Sequence, residues 1–247
     1  MKTVILAAGE GSRLRDRFAI KPLAIVGGKT LIDHAIATAR AAGSNEVVIV
    51  LGYEKEQIVR HLQDNASIHE GVSLRWVYNN NWSAGNAYSL LAVEAVLNDS
   101  DFLLTMCDHL MSPSILADLI ALDRPVGTEL ILAIDRRLDN PLVDIVDVTR
   151  VVERDGYISA IGKLLPDYTS FDAGAFRLTP SVFGTLRALA AVNTSLGISD
   201  LVTKLTLRRA AAVHDIGDHF WIDVDDDRMC RLAEKHLERS QIAARSL

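Results

Sequence analysis

The first 122 residues alternate short apolar runs with segments of helical period, and this alternation constrains the fold more than any other feature. Runs at 3–8, 46–53, 72–78 and 101–107 have strand length, whereas 30–42, 54–64, 86–97 and 113–122 carry the helical pattern. Ile58, Val59 and Leu62 fall on one face of the second helical segment, Gly43 ends the first, and Pro113 sits in the first turn of the fourth. Strand, helix, strand in this order predicts right-handed crossovers onto a mostly parallel central sheet, an α/β fold of Rossmann-like type.

After another apolar run at 128–134 the texture changes. "VTRVVERDGYISAIGK" contains two β-rich stretches around Asp155-Gly156, the signal of a β-hairpin that extends the sheet. A strand at 172–178, a helix starting near Pro180 and a last helix over roughly 226–242 complete the expected elements. The sequence shows no repeat, low-complexity tract or Pro/Ser linker, so residues 1–247 are expected to form a single domain. Aromatic residues are only 6% of the chain, which suits helices on a buried sheet better than a sandwich of amphipathic strands.

The net charge of −6 argues against nucleic acid or an anionic membrane as partner, while permitting a local basic pocket for phosphate. Cys107 and Cys230 stand far apart and outside any CxxC or Cys/His grouping, which predicts neither a disulfide framework nor a zinc site and fits a cytoplasmic protein. "TVILAA" is too short for a signal sequence, and no stretch approaches the roughly 18 apolar residues of a membrane span. A homodimer is left open.

In open α/β sheets ligands lie beyond the carboxyl ends of the strands, so the loops after residues 8, 52, 78 and 107 are the places to search. The first holds Gly9-Glu10-Gly11-Ser12-Arg13-Leu14. Glycines there let backbone amides approach a phosphate. The third glycine of a dinucleotide fingerprint is missing and a cation stands nearby instead, which points to a polyphosphate. "GGKT" at 27–30 lacks the upstream glycine of a P-loop, since Leu23 occupies that place. Lys21, followed by Pro22, supplies a second cation.

Asp108 ends a strand where the sheet opens, and "FWIDVDDD" at 220–227 offers Asp223 and Asp225 on one side of an extended segment. Magnesium requires such hard oxygen ligands. Asp226 or Asp227 is placed to cap the last helix. His109 is expected to position neighbouring groups or substrate, because a phosphate acceptor near neutral pH is already ionised and needs no strong base.

"LAAGEGSRL" followed by "KPL" resembles the nucleotidyltransferases that activate sugar and alcohol phosphates with a nucleoside triphosphate. The resemblance implies that Leu6, Ala7, Ala8, Gly9, Glu10, Gly11 and Ser12 wrap the triphosphate, and that Arg13 and Lys21 bind its oxygens. The acceptor phosphate then attacks the α-phosphorus and pyrophosphate leaves. It places the nucleobase at Gly85 and Asn86, and the second metal carboxylate beside Asp108 in the Trp-x-Asp-x-Asp stretch, with Asp225 favoured and Asp223 as the other candidate. Arg13, Lys21 and Asp108 thus become the catalytic residues and Mg2+ the cofactor.

"GNAYSLL", "CDHLMSPSIL", "AIDRR", "VDVTRVVERDGYISAIGKLL", "FDAGAFRLTPSVF", "GISDLV" and "FWIDVDD" together look like the inositol-1-phosphate cytidylyltransferase family, in order and over almost the whole chain. That resemblance implies CTP and inositol 1-phosphate as substrates and CDP-inositol as product. Lys163 would hold the acceptor phosphate, with Asp144, Asp172 and Gly174 lining the acceptor pocket. Cys107, in place of a small residue, and Ala173, in place of threonine, depart from the family pattern on that side. Choline phosphate, an aminoalkylphosphonate or a sugar 1-phosphate remain alternative acceptors, and a nucleotide-binding regulatory module is the alternative outside catalysis. Some family members are fused to a membrane phospholipid synthase; this sequence, without a hydrophobic span, reads as a stand-alone enzyme or an excised domain.

Overall fold

A computed structural model describes residues 1–14, 18–97 and 100–245, without the side chains of Ser12 and of 240–245. The chain begins with β1 (Lys2–Ala7), the short pair β2 (Ile25–Val26) and β3 (Lys29–Thr30), α1 (Leu31–Ala41), β4 (Glu46–Leu51), α2 (Lys55–Asp64) and β5 (Ser73–Tyr78). It continues with α3 (Asn86–Leu91), β6 (Phe102–Met106), β7 (His109–Met111), α4 (Pro113–Ala121), β8 (Leu130–Asp135), β9 (Arg150–Arg154), β10 (Tyr157–Gly162) and β11 (Ser170–Leu178). The last elements are α5 (Val182–Ala190), α6 (Ile198–Thr206), β12 (Ala211–Asp215), β13 (Trp221–Asp223) and α7 (Asp227–Arg245).

Among the described residues nine strands form one sheet in the order β5-β4-β1-β6-β11-β8-β12-β10-β9. The first four are parallel, as the crossovers require, and β12 is parallel to β8. β11 runs against both of its neighbours, and β10 against β12 and β9, so the sheet is mixed. The fold class is α/β, with the expected hairpin at the sheet edge. Its turn places Asp155 at φ 50° and Gly156 at φ 79°, the left-handed pair that a two-residue hairpin turn needs.

Side chains alternate across β1. Ile5 and Ala7 face one core with Ile32, Ile36, Ile58 and Leu116, from α1, α2 and α4. Val4 and Leu6 face another with Leu90, Phe183, Leu186 and Leu201, from α3, α5 and α6. Both faces are covered, which explains why these strands are apolar throughout rather than alternating. A third cluster joins Leu14, Val26, Leu110, Ile222, Val224 and Met229, and so holds the start of α7 over the ends of β2, β7 and β13.

Four elements differ from expectation. The helix expected over 86–97 ends at Leu91 and gives way to one turn of 3-10 helix, Glu94–Val96. Residues 211–215, 109–111 and 221–223 are strands without a strong sequence signal. The last two pair antiparallel, with Trp221 opposite Met111 and Asp223 opposite His109. This small ribbon ties the carboxyl end of the chain to the edge of the sheet where β1 and β6 finish.

Candidate active site

At that edge lies a cavity of about 330 Å3. Leu6, Ala8 and Gly9 line it from β1 and its loop, Asp108 and His109 from the end of β6, and Asp223 and Asp225 from the ribbon and the segment after it. Asn86, Asp144, Lys163, Asp172 and Gly174 contribute as well. Ala7 is buried within the sheet, and Glu10, Gly11, Arg13, Lys21 and Gly85 stand outside the lining. Ser12 belongs to the 3-10 turn Ser12–Leu14, and its side chain lies outside the described atoms.

Lys21 is the hub. It opens the 3-10 turn Lys21–Leu23, and its Nζ donates to Asp108 Oδ2 at 2.5 Å and to Asp225 Oδ1. Residues 21, 108 and 225 are thereby joined at one point although they are far apart in sequence. Only 8% of the Lys21 side chain is exposed. Burial works against its ammonium, but Asp108, Asp223 and Asp225 outweigh it and raise the pKa above the ordinary lysine value. Gly11 makes the placement possible. Its φ is +62°, and a Cβ there would come within 2.3 Å of Lys21 Cβ. Arg13, half exposed, donates from Nη2 to Asp225 Oδ2 at 2.5 Å and to Asp147 Oδ2 at 2.8 Å.

The carboxylates sit in contrasting surroundings. Burial alone would lift Asp108, but Lys21 and a 2.9 Å hydrogen bond with His109 Nδ1 hold it well below the usual carboxylate range. Burial, reinforced by Asp108 and Asp225, pushes Asp223 up, and its Oδ1 is buried without a hydrogen-bond partner. Burial likewise pushes Asp172 up to about 6, with one hydrogen bond, from the Gly174 amide at 2.8 Å, acting in the opposite direction. Oxygens of Asp147, Asp223 and Asp225 lie within 4.8 Å of one another. Asp108 Oδ2 meets the same Lys21 ammonium as Asp225 Oδ1, and this hard-oxygen set, with the orphaned buried oxygen of Asp223, fits a small divalent cation such as Mg2+.

His109 stacks on Trp221 with ring centroids 6.1 Å apart and planes at 14°. Burial opposes its imidazolium, but Asp223 and Asp108 dominate and raise its pKa to about 9. On its other side stands Gly174, where a Cβ would meet the imidazole at 2.2 Å. The antiparallel pairing explains this contact: Ala175 lies opposite Thr105, so β11 carries Gly174 and Asp172 past the end of β6 to His109. A break in the β11–β8 register between Asp172 and Phe176 turns the strand there, with Gly174 at φ +72°.

Asn86 does not cap its own helix. Its Oδ1 accepts from the Ile198 amide at 2.8 Å and so caps α6 from a distance, while the same residue lines the cavity. Gly85 is held nearby through its neighbours: Leu196 N donates to Ala84 O at 2.8 Å, and Ala87 N to Leu196 O at 3.1 Å. Of the two candidates to cap α7, Asp226 does so, with Oδ1 accepting from the Met229 amide at 2.7 Å. Asp144 lines the cavity and accepts from the Val146 amide at 3.1 Å.

Sequence reasoning passed over Asp147. It accepts from Lys163 Nζ at 2.7 Å as well as from Arg13, and lines the cavity with Asp144. The available signal was the Asp-x-x-Asp spacing in "VDIVDV", which one turn folds so that the Asp147 and Val148 amides both reach the Asp144 carbonyl. Trp82 and Trp221 also line the cavity, and neither was singled out as a site residue.

Residues 3–155 match the model of the MobA-like NTP transferase domain. A bifunctional IPC transferase and DIPP synthase of Rubrobacter xylanophilus is 32% identical over 234 residues, covering 94% of this chain and 50% of that protein. Its counterpart from Archaeoglobus fulgidus is 32% identical over 237 residues, covering 96% of this chain and 44% of that protein. The chain therefore spans about half the length of these curated relatives. Among solved structures, the inositol-1-phosphate CTP transferase from T. maritima superposes with a TM-score of 0.83 at 23% identity, covering 95% of both chains. A UDP-glucose pyrophosphorylase in complex with UDP-glucose does so with a TM-score of 0.79 at 19% identity, over 97% of this chain and 98% of the other. At such identities the likeness speaks for the fold, and the family rests on the domain match: the chain belongs to the MobA-like NTP transferase domain family.

Proposed function

We propose that the protein is a Mg2+-dependent cytidylyltransferase that converts CTP and inositol 1-phosphate to CDP-inositol and pyrophosphate. The observation that carries this reading is the meeting of Lys21 with Asp108 and Asp225 at a cavity lined by the glycine loop. A lysine and an arginine beside carboxylates, at the carboxyl ends of the parallel strands β1 and β6, form a site for a metal-bound triphosphate. The choice of CTP and inositol 1-phosphate is supported by the likeness to the inositol-1-phosphate CTP transferase from T. maritima, beside the IPC transferase relatives that match nearly the whole of this chain. We take residues 1–247 as one catalytic domain, since the cavity draws on both ends of the sequence. The two free, buried cysteines agree with a cytoplasmic setting.

In this mechanism an oxygen of the acceptor phosphate forms a bond to the α-phosphorus of CTP. The bond from the α-phosphorus to the bridging oxygen breaks, and that oxygen leaves with pyrophosphate. Arg13 and Lys21 stabilise the negative charge that develops on the α-phosphate and the leaving group. Lys163 orients the acceptor phosphate against the repulsion of two anions. Asp144, Asp172 and Gly174 form the acceptor side, where carboxylates receive hydrogen bonds from hydroxyls. With its Oδ1 committed to Ile198, Asn86 offers its amide hydrogens to the base, beside Gly85. Mg2+, held by Asp108 and Asp225 with Asp223 adjacent, would neutralise phosphate charge and keep the α-phosphate in line.

The test is a panel of nucleoside triphosphates and phosphate monoesters, including phosphocholine, an aminoalkylphosphonate and sugar 1-phosphates, followed by pyrophosphate release. CTP with inositol 1-phosphate is the expected pair. Faster turnover with another donor overturns the cytidylyl assignment, and a better acceptor overturns inositol.

A further inference from the structure

Asp147 lies beside the candidate metal carboxylates Asp223 and Asp225, and it also holds two of the cations of the proposed reaction. Oδ2 accepts from Arg13 Nη2 at 2.8 Å and Oδ1 from Lys163 Nζ at 2.7 Å. These two donors are assigned to different substrates, Arg13 to the triphosphate and Lys163 to the acceptor phosphate. A carboxylate that bridges them resembles a phosphate that does so, because both present oxygens to charged N–H groups in similar geometry.

The turn carrying Asp147 is exposed on one side, with Val146 91% and Ile145 41% exposed, and is fixed on the other by Val143 in the core, by Val148 packed against it and by Arg150 Nη2 on the Ile145 carbonyl at 3.2 Å. Rotating the Asp147 side chain away from Arg13 and Lys163 leaves that packing in place, so the cost is mainly that of two ion pairs with half-exposed cations. Asp225 also touches Arg13, but it is anchored by Lys21 as well.

We propose that Asp147 is an internal competitor for the substrate phosphates, which must displace it from Arg13 and Lys163 before they can meet. This inference rests on the assignment of those two cations to phosphate. Its consequence is selectivity. A triphosphate brings several oxygens and outcompetes one carboxylate, whereas a lone inorganic phosphate gains little over the partner already present. Asp147 thereby acts on substrate choice through the cations it occupies.

The test is calorimetric binding of CTP, and separately of inorganic phosphate, to the full chain in the presence of EDTA. The proteins are the unaltered chain, Asp147→Asn and Asp118→Asn. Asp118 lies on α4 outside the cavity lining, so its variant reports the general effect of removing one negative charge. Asp147→Asn should bind CTP about fivefold tighter, on the scale of one exposed ion pair. Inorganic phosphate should gain at least as much, and Asp118→Asn should change either affinity less than twofold. Unchanged or weaker binding by Asp147→Asn, or an equal gain in Asp118→Asn, overturns the proposal. Failure of the unaltered chain to bind CTP, with EDTA or with Mg2+, overturns the proposed function itself. Asp147→Ser repeats the measurement should the asparagine variant fold poorly.

Discussion

Asp135, fully buried, and Asp172, half-buried in the cavity wall, are aspartates whose supply of hydrogen-bond donors differs sharply. Asp135 is saturated with donors. Its Oδ1 accepts from Arg137 N and Nε at 2.9 and 2.8 Å, and its Oδ2 from Trp221 Nε1, Asn140 Nδ2 and Arg137 Nη2 at 2.7, 2.8 and 3.0 Å. Burial raises its pKa, but these donors more than compensate and lower it overall. Asp172 keeps one amide donor, and burial carries it up to about 6. A saturated buried carboxylate holds structure, while an under-supplied one is left to take donors from a ligand. Asp135 joins the end of β8 to Trp221, and Trp221 supports His109; Asp172 faces the cavity directly.

The comparison is sharpened most by removing the saturated group. Asp135→Ala strands the donors of Arg137, Asn140 and Trp221 and should cost about 3 kcal/mol, the scale of breaking a buried ion pair. Thermal unfolding would show this as a fall in Tm of roughly 6–12 °C for a chain of this size; an unchanged Tm would remove Asp135 from the structural side. Next come the groups beside the proposed triphosphate site. Arg13→Ala and Asp108→Ala should each lower kcat by more than about a hundredfold, the typical effect of removing charge stabilisation in the transition state, as read from pyrophosphate release. Near-normal rates would mean that the site is misplaced.

Asp172→Asn tests the under-supplied member. The asparagine keeps an Oδ1 for the Gly174 amide and removes a charge that burial disfavours. The folded protein holds the Asp172 proton up to pH about 6, whereas an unperturbed aspartate releases it near 3.8. Between those values the folded state binds the extra proton, so stability falls as pH rises and the penalty is complete above about 6. Asp172→Asn should therefore match the unaltered protein in Tm near pH 4 and exceed it by a few degrees at pH 7.5, while KM for the acceptor rises about tenfold. A loss of stability at pH 7.5 would place Asp172 with Asp135. The smallest effect is expected from Trp221→Phe, which keeps an aromatic ring beside His109 and loses one bond to Asp135, at about 1 kcal/mol.

The two aspartates also show where sequence stops being informative. The parallel half of the sheet was legible because β1, β4 and β6 are apolar runs separated by amphipathic helices. The hairpin was legible because Asp155-Gly156 is a local turn signal. The ribbon of β7 and β13 was not, since "HLM" and "WID" are too short for any period and exist as strands only through each other. That pairing brings Asp223 beside His109 and leads the chain to Asp225, which meets Lys21. Candidate site residues were recognisable by type and motif. Asp147 and the five donors of Asp135 were not, because long-range packing and loop geometry decide which carboxylates find cations and which are left short.

The central claim is that cations from the amino-terminal loop and carboxylates from two distant segments grip one metal-bound triphosphate. The most direct measurement is a crystal structure of the protein with CTP and Mg2+. The expected result has Asp108 and Asp225 oxygens about 2.1 Å from the ion, with Arg13 and Lys21 on phosphate oxygens and the cytosine near Gly85 and Asn86. A nucleotide bound away from this cavity, or an ion that neither aspartate touches, would contradict it.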